Sequence, residues 1–183
     1  MTREEWLTRA AAELRSHVFP DYAQPPRVWV SVGFPKGSRG RGKAIGQCWD
    51  GAISTDGAPH VFIHPALLEP VLVLATLAHE LVHAAVGVEA KHRGPFVDLS
   101  RKVGLVKPWT ATSPGPELLT RLEDIARGLG AYEHAGLDPA TIKRQVSRMR
   151  KWQCPCGVIV RAGTDDLQAL CQLCEAPFLK AEA

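Results

Sequence analysis

The chain has 183 residues, 45% of them hydrophobic and 22% charged, with a formal net charge of +3. That composition fits one globular domain, or one domain with a small accessory module, and excludes wholesale disorder. The charge is only a mild basic bias, compatible with nucleic-acid contact without indicating it.

The N-terminal segment MTREEWLTRAAAELRSHVF is amphipathic and charged, so it does not read as a secretory signal. The longest apolar run, Val71 to Ala78, is far too short to cross a bilayer. A cytoplasmic protein with no membrane partner is expected. Cysteine usage agrees, because four of the five cysteines crowd into Cys154-Pro-Cys156 and Cys171-Gln-Leu-Cys174. In a reducing compartment such pairs read as a metal site rather than as disulfides.

In chain order, Trp6, Leu7, Ala10, Ala11, Leu14 and Val18 form one apolar stripe, which predicts a helix from Thr2 to Val18 started by a Thr2/Glu5 capping box. Asp21 to Pro26 is a proline-rich turn. Strands are expected at Arg27 to Phe34, Ala44 to Trp49 and His60 to Ile63, as a meander of short strands. The basic, glycine-rich loop PKGSRGRGKA separates the first two. A long helix follows from Pro70 to about Val86, with proline in its first turn and Gly87 as its stop. Further helices are predicted at Pro95 to Val103, Glu117 to Leu129 and Pro139 to Arg150, with Lys107 to Pro116 a loop. After Lys151 the composition shifts to cysteines and short β-like runs. The expected division is a main domain over 1–135, a helical linker over 136–150 and a cysteine module over 151–183.

The chemistry sits in the long helix as His79-Glu-Leu-Val-His83. Histidines four apart project from one helix face and can share a metal, with Glu80 beside them to take a proton from bound water. Zinc lowers the pKa of such water toward about 7 and polarises a scissile carbonyl. A chance motif on a solvated face would not be flanked by Leu74, Leu77, Ala78, Leu81, Val82, Ala85 and Val86. Two histidines and a glutamate buried there without partners would be costly. A catalytic zinc needs a third protein ligand. His92 is the candidate, since Gly87 ends the helix and Val88 to Lys91 can turn the chain back. Asp98 is the carboxylate alternative and Glu89 a weaker one. The extended HExxHxxGxxH pattern is absent, because Val86 and Glu89 occupy its glycine and histidine positions.

HELVH followed by His92-Arg-Gly-Pro-Phe96 resembles the SprT-like metalloproteases, which include Spartan and bacterial and phage members. In that family a third histidine lies in a His-Gly-x-x-Phe-like segment. Here Phe96 keeps its place and Arg93 displaces the glycine by one. Many members end in a small zinc ribbon, as the cysteine pairs here suggest. The resemblance implies an α+β, zincin-like fold with HExxH on its central helix. It also implies a zinc metalloendopeptidase acting on DNA-associated or DNA-crosslinked proteins.

Two zinc ions are therefore expected: a catalytic one on His79, His83 and His92, and a structural one on Cys154, Cys156, Cys171 and Cys174. Cys-x-Cys makes the first knuckle tighter than the usual Cys-x-x-Cys. The segment Gly37 to Lys43 nearly matches a phosphate-binding GxxxxGK loop, but Ala44 replaces the hydroxyl residue and a strand follows instead of a helix. Lys36, Arg39, Arg41 and Lys43 remain candidates for phosphate-backbone contacts, and Trp152 for base stacking. Trp29, Trp49 and Trp109 read as packing residues, and His60 and His64 as structural. Two alternatives stand beside the protease: a non-catalytic, zinc-stabilised nucleic-acid-binding protein, and a deformylase-like hydrolase using Cys48 as third ligand.

Overall fold

A computed structural model describes residues 1–36, 44–138 and 149–181. The chain divides into two compact units, Met1–Ile142 and Lys143–Ala183. Their described residues form a mixed α+β structure with four helices and small sheets.

The first unit begins with α1, Arg3–His17, whose capping box is present: Glu5 N–H donates to Thr2 Oγ1 and Thr2 N–H to the Glu5 carboxylate. Its apolar stripe of Trp6, Leu7, Ala10, Ala11 and Leu14 is buried. Three strands follow: β1 Trp29–Val32, β2 Gly46–Trp49 and β3 His60–Ile63. They are not the expected meander. The order is β1-β3-β2, with β3 parallel to β1 and antiparallel to β2. Val61 and Ile63 of β3 are completely buried, so the most apolar strand takes the centre and β2 the edge.

Helix α2, Pro70–Val86, runs through the middle of the unit, packing on β2, β3, α1 and both later helices. The Glu69 carboxylate caps its N-terminus, accepting from Val71 N–H (2.9 Å) and Leu72 N–H (2.6 Å). Val73, Leu74, Leu77, Ala78, Leu81 and Val82 are fully buried. Each large one contributes roughly 1.5–3 kcal/mol by leaving water, which explains why a helix carrying polar site residues stays central. Helix α3 covers Pro95–Val103 and α4 Pro116–Leu129. Between them lies a small hairpin, β4 Leu105–Val106 paired with β5 Ser113–Pro114, whose second strand falls within the expected loop.

After α4 the chain folds back on the first unit. Gly130 C=O accepts from Trp6 Nε1, and Leu137 N–H donates to Pro65 C=O. The helix expected over Pro139 to Arg150 lies outside the described residues except at its end. There Arg150 opens a strand instead, because its backbone pairs with Ala162.

The second unit is a three-stranded antiparallel sheet, β7-β6-β8, made of Ile159–Ala162, Arg150–Gln153 and Leu179–Lys180. Among its described residues the core is Trp152, Cys154, Cys171 and Phe178 with partly buried neighbours. So little apolar volume is marginal without a cross-link or metal. No described helix is long and apolar enough to cross a membrane.

Candidate functional site

Helix α2 delivers His79, Glu80 and His83 to one cleft, and the chain reversal after it delivers His92. Gly87 stops the helix at φ 89°, with its N–H donating to His83 C=O. A short 3-10 turn, Val88–Ala90, then leads to Lys91 at φ 50° and Gly94 at φ 48°. Lys91 lies in the left-handed region that side chains avoid, a local strain that aims His92 back at α2.

The three imidazoles meet through the same atom. His92 Nε2 lies 3.3 Å from His79 Nε2 and 3.2 Å from His83 Nε2. Phe96, completely buried on α3, is their floor, with ring centroids 5.0 Å from His79, 4.4 Å from His83 and 5.0 Å from His92. The outer face of His79 is also held, its Nδ1 standing 2.8 Å from Thr112 Oγ1. The buried Nδ1 of His83 has no hydrogen-bond partner among the described residues.

Burial dominates the electrostatics. It drives His79 down to about 3, aided by the neighbouring histidines, and His83 down to about 4; it lowers His92 as well. All three rings are therefore neutral near pH 7, with lone pairs available for a cation. Burial pushes the Glu80 carboxyl up to about 8, opposed by a hydrogen bond from the Cys48 backbone. A carboxyl poised there can exchange a proton near neutral pH.

The cleft has a volume of about 570 Å³. Its walls are β2 and the residues before it, the Thr76–His83 face of α2, Lys91 with His92, and the Thr110–Thr112 tip of the β4–β5 hairpin. Polar side chains, the three histidines, Glu80, Thr110 and Thr112 among them, converge in this cleft beside the apolar Ala44, Ile45, Ala75 and Val88, a makeup suited to binding and orienting a ligand.

Of the ligands weighed from sequence, His79, His83 and His92 come together as a group able to hold a metal ion. Asp98 does not join them; it is exposed on α3, 3.9 Å from Arg101. Glu89 is also outside the group, its carboxylate lying over Gly87. Cys48 lines the cleft wall without joining the group, and burial raises its thiol to about 12. That leaves the deformylase-like arrangement without its sulfur ligand. His60 Nε2 bonds to Ser54 Oγ, and His64 Nδ1 accepts from Ala66 N–H, so both are engaged outside the cleft.

In the second unit, the sulfurs of Cys154, Cys156, Cys171 and Cys174 lie within 4.8 Å of one another and could hold a metal ion. Gly157, at φ 91°, closes the first knuckle by donating to Cys154 C=O. Glu175 closes the second by donating to Cys171 C=O. Hydrogen bonds from the Leu173 and Cys174 backbones help hold the Cys171 thiol down to about 7, while the hydrogen bond with Cys154 pushes Cys156 up to about 12, so of these two Cys171 is the readier thiolate.

Of the five expected nucleic-acid residues, Lys36 and Trp152 fall among the described residues. Arg39, Arg41 and Lys43 lie outside the described residues. Lys36 donates its backbone N–H to Gln47 Oε1 and carries its ammonium 6.0 Å from the Trp49 ring. Trp152 is only 6% exposed and belongs to the core of its unit, so its faces are closed to base stacking. Trp109 packs against the main core as expected, with the Arg101 guanidinium over its ring, whereas Trp29 is 43% exposed.

Sequence reasoning missed Thr112, Gly46 and the role of Phe96 as the floor. A loop threonine and a strand glycine carry no local mark of a contact made from another element. No family model matches this chain, and searches of the curated proteins and the solved structures find no match either.

Proposed function

We propose that the chain is a zinc metallopeptidase of the SprT-like type, with a zincin-like first unit and a structural zinc ribbon as the second. The observation that carries this reading is the convergence of three neutral histidine Nε2 atoms, His83 buried and His79 and His92 half-buried, in a cleft that also contains a buried carboxyl. A tetrahedral centre with metal–nitrogen bonds of about 2.0–2.1 Å places its ligand atoms about 3.3 Å apart. The two Nε2 separations, 3.3 and 3.2 Å, fit that edge.

Zinc bound by His79, His83 and His92 would supply a Lewis acid for water and for the scissile carbonyl. The protein's own share falls mainly on Glu80. A cation held by the histidines would favour its ionised form, and the carboxylate then takes a proton from the attacking water and returns it to the nitrogen of the leaving amine. Strand β2 is the sheet edge at the cleft, so its backbone groups are positioned to pair with an extended peptide. The same reading gives the Cys154, Cys156, Cys171 and Cys174 site a structural role, since the second unit has so small a core.

Proteins bound or crosslinked to DNA are the substrate class the sequence resemblance suggests, and the cytoplasm the proposed compartment. Glu80→Gln tests the mechanism: metal content should persist while peptide hydrolysis falls on the order of 10²–10⁴-fold. Proteolysis at the wild-type rate in that variant would overturn it.

A further inference from the structure

Beyond the three histidines, we infer that Thr112 is a positioning residue for His79, accepting its Nδ1–H so that Nε2 is fixed as the free, metal-facing nitrogen. This rests on the metal reading proposed above.

A neutral imidazole carries one proton, and its site decides which nitrogen can bind a cation. His79 Nε2 points at the other histidines and its Nδ1 points at Thr112 Oγ1, 2.8 Å away. A hydroxyl can accept there while directing its own hydrogen elsewhere. With the proton held on Nδ1, the lone pair of Nε2 is left for the shared site.

The local fold supports the contact from both directions. Thr112 precedes β5, and the β4–β5 pairing fixes Val106 opposite Ser113. Gly115 N–H donates to Gly104 C=O at 2.8 Å, tying the base of the hairpin. Trp109 packs on the main core beneath the Arg101 guanidinium, 5.3 Å from its ring centroid, and Ala111 N–H closes the tip on Pro108 C=O. The excursion from Val106 to Ser113 thereby places one half-buried hydroxyl on the outer face of the half-buried His79 imidazole. Among the described residues His83 has no such contact: its buried Nδ1 meets no partner there, and its ring packs on Phe96 with centroids 4.4 Å apart. Both helix-borne rings meet His92 through Nε2, and among the described residues His79 alone of the two has its Nδ1 held by a polar group from another element.

The test titrates Co²⁺ into the full chain in the wild type and in the Thr112→Val and Thr112→Ser variants. Thiolate charge-transfer absorption reports the cysteine site, and ligand-field bands without it report the histidine site. Thr112→Val should weaken the histidine site about 10–100-fold, Thr112→Ser should stay within about threefold of wild type, and the cysteine site should not change in either. The wild-type long-range ¹H–¹⁵N imidazole spectrum should show His79 protonated at Nδ1, a signature that Thr112→Val blurs and Thr112→Ser keeps. Should the valine variant fail to fold, Thr112→Ala provides the same loss without a branched side chain facing the ring. Wild-type affinity in the valine or alanine variant, or equal loss in the serine variant, would overturn the inference. If the wild type binds Co²⁺ only through thiolates, the metal reading itself fails and takes this inference with it.

Discussion

Gly46 on the edge strand and Glu80 on the central helix approach so closely that no side chain fits between them. A Cβ at position 46 would stand 2.6 Å from Glu80 Oε1 and 2.7 Å from Thr76 Cγ2. The Glu80 carboxylate is the movable end of a flexible side chain, whereas Thr76 is β-branched and stiff. Gly46→Ala should therefore displace the carboxylate and press β2 away from the stiff Thr76. The expected outcome is a 10–100-fold fall in kcat at unchanged metal content, with a stability cost of about 1–3 kcal/mol. Metal analysis, peptide-cleavage kinetics and urea unfolding on one preparation separate these effects.

Phe96 supports all three imidazoles and is completely buried. Phe96→Ala should cost about 3–5 kcal/mol through the cavity it leaves. Phe96→Leu should keep most of the stability but let the rings move, so metal affinity should fall more than the unfolding midpoint does. Chelator competition set beside urea unfolding checks that ordering.

Asp56 gives a pH signature remote from the cleft. Hydrogen bonds from Ser54 Oγ (2.8 Å), Trp29 Nε1 (2.7 Å) and Ala58 N–H (3.0 Å) hold its carboxyl down to about 2. A depressed carboxylate stabilises the fold above its unfolded value, near about 4. That contribution is lost as pH falls from there through about 2. An NMR titration should show Asp56 protonating near the lower value, and Asp56→Ala should flatten the acid dependence of stability in that window. A midpoint near 4 would contradict the network.

The cysteine module should depend on its metal for order. With Trp152, Cys154, Cys171 and Phe178 as nearly its whole core, removal of the ion by a strong chelator should collapse amide protection in β6 and β7. Protection in α2 should survive treatment at Cys154→Ser, where only the second unit loses a ligand. Retained β6 protection after removal of the ion would show that the small core suffices.

Much of this was legible from local pattern. The Thr2/Glu5 box, the Pro70 start and Gly87 stop of α2, and the apolar stripe of α1 each act within a few residues, and each element formed where they point. His92 was legible because a glycine stop so close to HELVH leaves the chain little choice but to return. Partnerships across the fold were not. Nothing in the short strands says that β1 pairs parallel with β3, since alternation marks a buried face but not a neighbour. Thr112 sits 33 residues from His79 in an unpatterned loop, and only the folded hairpin brings it there. Trp152 was misjudged for a related reason: in a module this small, the aromatic beside the first cysteine is needed as core.

The most direct test of the histidine centre is the zinc stoichiometry of the purified, metal-loaded full chain, read for the wild type and for His92→Ala. Wild-type protein should carry about two zinc ions per chain and His92→Ala about one, the loss falling on the histidine group. A wild-type chain with one zinc held entirely by cysteines, or a His92→Ala chain that still holds two, would contradict a metal centre built on His79, His83 and His92.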